Sequence, residues 1–304
     1  MKNTTANYTI KKTVFLIAVI ALVIAVILLT VYNSVDHTAQ PNNGGPTSAV
    51  STTDDGKLII NDLYSGEITI PKYNVPLNSY DTAKFKNDLG LVTYEDENAS
   101  LGIDVSSYQE TIDWAQVKES GIEFAMIRAG YRGATRGNLK EDKNFQANYE
   151  GAKAAGLKVG VYFFSQAVSV AEAEEEAGYV LQLLQNKELD FPVVFDWEVA
   201  EVMENDVNIS RTKSISGEDV TSFAQAFCKK IDKAGYTASV YFNRNLAYDY
   251  YNLEMIKDFD FWLAEYRAVP AFYYDFQMWQ YSDNAQVRGI STPVDINICF
   301  KQYK

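Results

Sequence analysis

Apolar and polar positions divide the chain into stretches of different texture. The first is an uninterrupted apolar run, VFLIAVIALVIAVILL from Val14 to Leu29, which weakly apolar residues extend to Tyr32. A bilayer core needs about 20 residues of helix, so residues 14–32 are expected to form a single transmembrane helix. Lys2, Lys11 and Lys12 precede the run, and the first basic residue after it is Lys57. The positive-inside bias then makes residues 1–13 a cytoplasmic tail and puts all that follows outside the cell membrane. A cleaved signal peptide competes with this reading, because Thr38-Ala39-Gln40 offers a small-residue site. The apolar run is longer than the roughly 7–15 residues of a signal core, which favours an uncleaved anchor. Both readings export the rest of the chain.

Residues 33–57 are polar and rich in Asn, Gly, Ser, Thr and Pro. Such a stretch cannot bury enough apolar surface to fold and is expected to be a flexible linker. Residues 58–98, with Lys57 just before them, hold short strand-like pieces, Lys57–Ile60 and Glu67–Ile70, broken by Pro71 and Pro76 and followed by the acidic Glu95-Asp96-Glu97. They read as a small membrane-proximal extension ahead of one large domain at 99–304.

From Leu101 the texture changes again, to short β-rich runs alternating with helical periodicity, the pattern of βα units around a parallel sheet. Eight strands are predicted, at 101–105, 124–129, 159–164, 193–197, 238–242, 261–265, 276–280 and 294–299. Helices are predicted at 113–119, 145–155, 170–184 and 219–234, with a shorter one after Asn243. Gly121, Gly156 and Gly235 follow three of these helices as left-handed C-terminal caps. The connections 266–275 and 281–293 carry no helical pattern. The expected fold is therefore an α/β irregular TIM-like barrel, with five βα units followed by three strands joined by loops.

Composition narrows the chemistry. A formal net charge of -13 leaves no basic patch for phosphate backbones, so nucleic acid is not an expected partner. The single histidine, His37, falls in the polar linker. Serine or cysteine nucleophiles served by an imidazole, and catalytic zinc sites, therefore lack their essential group in the folded part. Neither metal nor other cofactor is expected, and any proton transfer falls to carboxylates. Cys228 and Cys299 lie far apart without CxxC spacing. They can pair outside the cytoplasm, though their apolar settings favour two buried thiols.

In Pro192–Glu198 an apolar strand ends in Asp196 and Glu198, and side chains two apart share one face of a strand. The C-terminal end of parallel barrel strands is where active sites form. Two close carboxylates raise each other's proton affinity, so one can stay protonated as an acid. Asp104 closes the first strand and Asp295 opens the last, which barrel closure makes neighbours; Asp295 can alternatively cap a turn after Pro293. Aromatic residues gather at strand ends: Tyr131, Tyr162, Phe164, Tyr241, Trp262, Tyr266, Trp279 and Tyr281. Of these, Tyr162, Phe164, Tyr241 and Trp262 are the expected sugar-stacking residues and the others further candidates, with core packing the competing role for any one of them, and Arg128 and Gln280 are expected to orient the carboxylates or bond the sugar. The acidic stretch Glu172–Glu176 opens a helix and reads as a solvated face favoured by the helix dipole, rather than as a metal site.

The segments Gly102–Gln109, Phe124–Tyr131, Gly160–Phe164, Phe195–Glu198, Trp262–Tyr266, Trp279–Tyr281, Gly289-Ile290 and Val294–Asn297 together resemble the glycoside hydrolase family 25 muramidases, the Chalaropsis-type lysozymes. The resemblance spans roughly 101–303 in the family's order. It implies an irregular barrel and hydrolysis of the β-1,4 bond between N-acetylmuramic acid and N-acetylglucosamine, with peptidoglycan glycan strands as the partner. It also implies Glu198 as general acid and then base, Asp196 as the residue that orients or charge-stabilises the substrate's 2-acetamido group, and Asp104 and Asp295 as further walls of an acidic groove. Substrate-assisted attack and direct attack by water both remain open, since they differ in carboxylate separation. Glu265 departs from the small or neutral residue expected at its position. A non-catalytic glycan-binding protein and a chitinase-like glycosidase are the alternatives, and no protein partner is legible.

Overall fold

A computed structural model describes residues 49–303 except 89 and 186. The apolar run at 14–32, the cytoplasmic tail and most of the predicted linker lie outside the described residues. Among the described residues no helix is long and apolar enough to cross a membrane.

Eight strands close the barrel: β1 (Ser100–Val105), β2 (Phe124–Arg132), β3 (Lys158–Ser165), β4 (Val193–Trp197), β5 (Ala238–Asn243), β6 (Asp260–Ala264), β7 (Met278–Ala285) and β8 (Val294–Cys299). Neighbours from β1 to β7 run parallel, whereas β8 lies antiparallel to both β7 and β1 and completes the ring. Six helices accompany them: α1 (Trp114–Glu119), α2 (Phe145–Ala154), α3 (Val170–Leu183), α4 (Gly217–Lys233), α5 (Arg244–Asp249) and α6 (Leu253–Ile256). Nothing helical follows β6 or β7, as the missing periodicity predicts.

Helix boundaries follow local chemistry. Ser169 caps α3 by accepting from the Glu172 amide, and Ser216 with Asp219 forms a reciprocal capping box that starts α4 two residues earlier than predicted. Gly156 and Gly235, at φ of 74° and 91°, take the left-handed conformation after α2 and α4. The seventh strand begins at Met278 rather than at 276 and runs on to Ala285, because its antiparallel pairing with β8 continues through two irregularities near Ser282.

Strand alternation divides the side chains between two cores. Phe124, Met126, Phe191, Val194, Tyr241, Trp262, Ala264, Met278 and Cys299 fill the barrel interior. Val193, Phe195 and Trp197 face the surrounding helices in the larger outer core. Gly102 and Gly160 are required inside: a Cβ at the first would collide with the Phe124 ring, and at the second with Met126 and Phe191. Cys228 and Cys299 are separate buried thiols, one in each core.

Two features differ from expectation. Ala49–Thr52, within the predicted linker, is a strand that pairs with Leu58–Asp62, which in turn pairs with Gly66–Ile70. This small sheet and the hairpin of Phe85–Asp88 with Leu91–Tyr94 pack on the barrel. Tyr80 stacks on Phe300 at 4.1 Å, and the edge of Phe85 meets Trp279 at 5.5 Å. Trp279 and Tyr281 therefore belong to the packing under the extension and not to a sugar site. The second correction concerns Glu172–Glu176. Glu176 is fully buried: it accepts from Arg132 Nε at 2.7 Å and from Ser165 Oγ at 2.6 Å, and burial still pushes it up to about 7. Only the outer part of that stretch is a solvated face.

Candidate active site

The inward residues at the C-terminal ends of the strands converge on one pocket of about 200 Å³, lined by Asp104, Tyr162, Asp196, Glu198, Tyr241, Trp262, Tyr266, Gln280 and Asp295. Strand register explains the convergence. Val194, Asp196 and Glu198 follow one another at two-residue spacing, and Asp196 lies level with Phe164 of β3 and Tyr241 of β5. Asp295 and Asp104 are register partners across the antiparallel β8–β1 pair. This strand position replaces the alternative in which Asp295 caps a turn.

Asp104 is the best-supported carboxylate. Its Oδ2 accepts from Gln280 Nε2 at 2.9 Å and from Asn297 Nδ2 at 2.7 Å. Gln280 is fixed in turn, since its Oε1 accepts from the hydroxyls of Tyr241 and Tyr266, both at 3.0 Å. Asn297 Oδ1 accepts the indole N–H of Trp262 at 2.8 Å. The aromatic floor and the acidic pair thus form one hydrogen-bonded unit. Asp196 is set deeper, and its buried Oδ1 has no hydrogen-bond partner among the described residues.

All four acids hold protons more tightly than ordinary carboxylates. Burial is the main cause for each. Asp196 rises well above the usual range, with the nearby charge of Glu198 adding to burial, and Glu198 is raised as well. Asp295 is pushed up to about 8, by burial and then by the charge of Asp104. The two members of each pair are close enough to titrate as a unit.

Tyr162, Tyr241, Trp262 and Gln280 line the pocket as expected, although Trp262 is only 1% exposed and forms the floor rather than an open stacking face. Arg128 and Phe164 line an adjacent cavity of about 400 Å³ with Ser107, Tyr108 and Tyr131. Arg128 is held there by Asp142 at 2.7 Å and sits between the Tyr108 and Tyr131 rings. Its charge still reaches Asp196 and opposes the upward shift. One supporting residue went unassigned in the sequence: Asn297, two positions beyond Asp295, shares the inward face that alternation assigns. Tyr266, one of the strand-end aromatics, is a wall of the pocket.

Four carboxylates whose proton affinity burial raises, at the mouth of a closed barrel and over an aromatic floor, are the equipment of a glycoside hydrolase. The chain belongs to glycosyl hydrolases family 25, which matches residues 103–290. It is similar to the autolytic lysozyme of Clostridium acetobutylicum, 32% identical over 200 residues, covering 64% of this chain and 54% of that protein. The uncharacterized protein YegX of Escherichia coli K12 is 31% identical over 211 residues, 65% of this chain and 68% of that one. Among solved structures, the modular autolysin LytC of Streptococcus pneumoniae superposes with a TM-score of 0.58 at 23% identity, over 81% of this chain and 57% of that one. This last likeness is one of fold. The chain spans little more than half of the clostridial lysozyme and of LytC.

Proposed function

We propose that this chain is an N-acetylmuramidase that hydrolyses the β-1,4 bond between N-acetylmuramic acid and N-acetylglucosamine in peptidoglycan. The observation that carries the reading is the Asp196–Glu198 pair: one buried carboxylate with an unpartnered oxygen and, two residues on, a second that lines the same pocket. The autolytic lysozyme among its relatives supports it, as does LytC, which has also been solved with a synthetic peptidoglycan ligand.

In this mechanism the acetamido N–H of the bound sugar donates to Asp196. That contact favours the charged form of Asp196 and leaves Glu198 as the protonated member of the pair. Glu198 gives the proton to the glycosidic oxygen as the C1–O bond breaks, and the acetamido oxygen closes on C1. Water then attacks C1, breaking the bond from C1 to the acetamido oxygen and restoring the acetamido group, and gives a proton to Glu198. Asp104 and Asp295 keep the pocket acidic, and Gln280, which donates to Asp104, holds the Tyr241 and Tyr266 hydroxyls in place. We further propose that residues 14–32 anchor the enzyme by one membrane-spanning helix with its catalytic domain on the wall side, a reading supported by Lys2, Lys11 and Lys12 before the apolar run.

Purified peptidoglycan digested with the full chain in detergent should yield fragments with reducing muramic acid ends by mass spectrometry. Reducing glucosamine ends would instead mean a different glycosidase, and binding without cleavage a non-catalytic module. For the anchor, protease added to intact cells should remove the catalytic domain. Protection until the membrane is opened would refute the orientation.

A further inference from the structure

We propose that the N-terminal extension and the barrel mouth together build a second glycan-binding cavity, which takes sugar rings of the strand beyond the acid pocket. The inference rests on the muramidase reading and adds to it a substrate preference set by a segment outside the family match at 103–290.

The cavity has a volume of about 600 Å³, and its walls include Ser65 and Ile68 from the extension, Asn245 and Tyr248 beyond β5, and Tyr266 and Arg267 beyond β6. Tyr266 also lines the acid pocket. It is 49% exposed, and its hydroxyl is fixed on Gln280, so it stands as a rigid partition between the two spaces. A glycan that continues past the bond being broken can cross this ring from one space into the other.

Most of the charge at the cavity is settled internally. Arg244 bonds Asp62 of the extension at 2.6 Å and Glu265 at 2.9 Å. Glu265 also accepts the amides of Ala271 at 2.9 Å and Phe272 at 3.1 Å, while Asp62 accepts those of Tyr64 at 3.0 Å and Ser65 at 2.8 Å. Arg267 is exposed and lies 4.9 Å over the Tyr64 ring. What a ligand meets is aromatic surface, an amide, a hydroxyl and this one guanidinium, faces and donors that suit sugar rings with their apolar faces and hydroxyl rims. Glu265 has a role here: it anchors Arg244, which reaches across to Asp62 and holds the extension against the barrel.

The test uses the full chain in detergent carrying Glu198→Gln, so that ligands bind without being cut, and calorimetry with peptide-free glycan of tetrasaccharide and octasaccharide length. The octasaccharide should bind about ten-fold tighter. Ser65→Trp, at an exposed turn, fills the cavity and should abolish that length advantage, and Asn245→Ala, a truncation on the surface, should reduce it. An unchanged octasaccharide-to-tetrasaccharide ratio in both variants, with binding intact, overturns the second cavity and leaves the muramidase reading standing. Absence of binding at either length overturns both. Binding that depends on Arg267, seen with peptide-bearing strands only, makes the stem peptide the occupant and overturns the saccharide assignment.

Discussion

Replacing Asp295 with asparagine isolates one proton of the acid pocket. In the folded protein Asp295 keeps its proton up to about pH 8, because burial and the adjacent Asp104 disfavour its charge, whereas the unfolded chain releases it near 3.8. A carboxylate whose folded pKa is raised adds stability at low pH and loses it as pH climbs toward the folded value. Between these limits the folded state binds one more proton than the unfolded state, so each pH unit removes about 1.4 kcal/mol. The Asp295→Asn side chain keeps the shape of the acid beside Asp104 and has no proton to lose. From pH 5 to pH 7 the wild-type protein should therefore lose about 3 kcal/mol more stability than Asp295→Asn, an upper value since Asp295 titrates as a unit with Asp104 and is partly open to solvent. Urea titrations of both proteins at pH 5, 6 and 7 read the difference directly. Parallel stability–pH lines would show that Asp295 is ionised across the range and that the pocket is not a proton store.

Three further outcomes follow from the same geometry. Glu198→Gln should lower turnover on peptidoglycan by about 10²–10⁴-fold, with the protein still sedimenting with cell walls, because only proton transfer is removed. Arg132→Ala leaves Glu176 buried beside Ser165 without its cation and should cost about 3–5 kcal/mol in chemical denaturation. Trp279→Ala opens a cavity where the extension meets the barrel and should cost about 3–5 kcal/mol of stability without raising KM. A raised KM there would return Trp279 to the sugar site.

Sequence alone was enough wherever a local period carries the information. The apolar run ending in Asp196 and Glu198 specifies a buried parallel strand with both acids inward, since alternation fixes the face of every second residue. Missing helical periodicity after Trp262 foretells the three looped strands, and closure brings Asp104 beside Asp295. Asn297 was within reach of the same alternation. Tertiary structure decided the rest, because those contacts join residues that no short period links. Glu176 looked like part of a solvated acidic face until Arg132, 44 residues earlier, arrived beside it. Trp279 and Tyr281, sugar candidates by position, are covered by an extension whose short strands gave no sign of where they dock. Arg128 is held in the neighbouring cavity by Asp142, and Tyr266 became a shared wall only when Gln280 fixed its hydroxyl. A strand's inward face is set by backbone geometry and is written locally, whereas the partner that neutralises a charge or covers a ring is chosen by the packing of the whole chain.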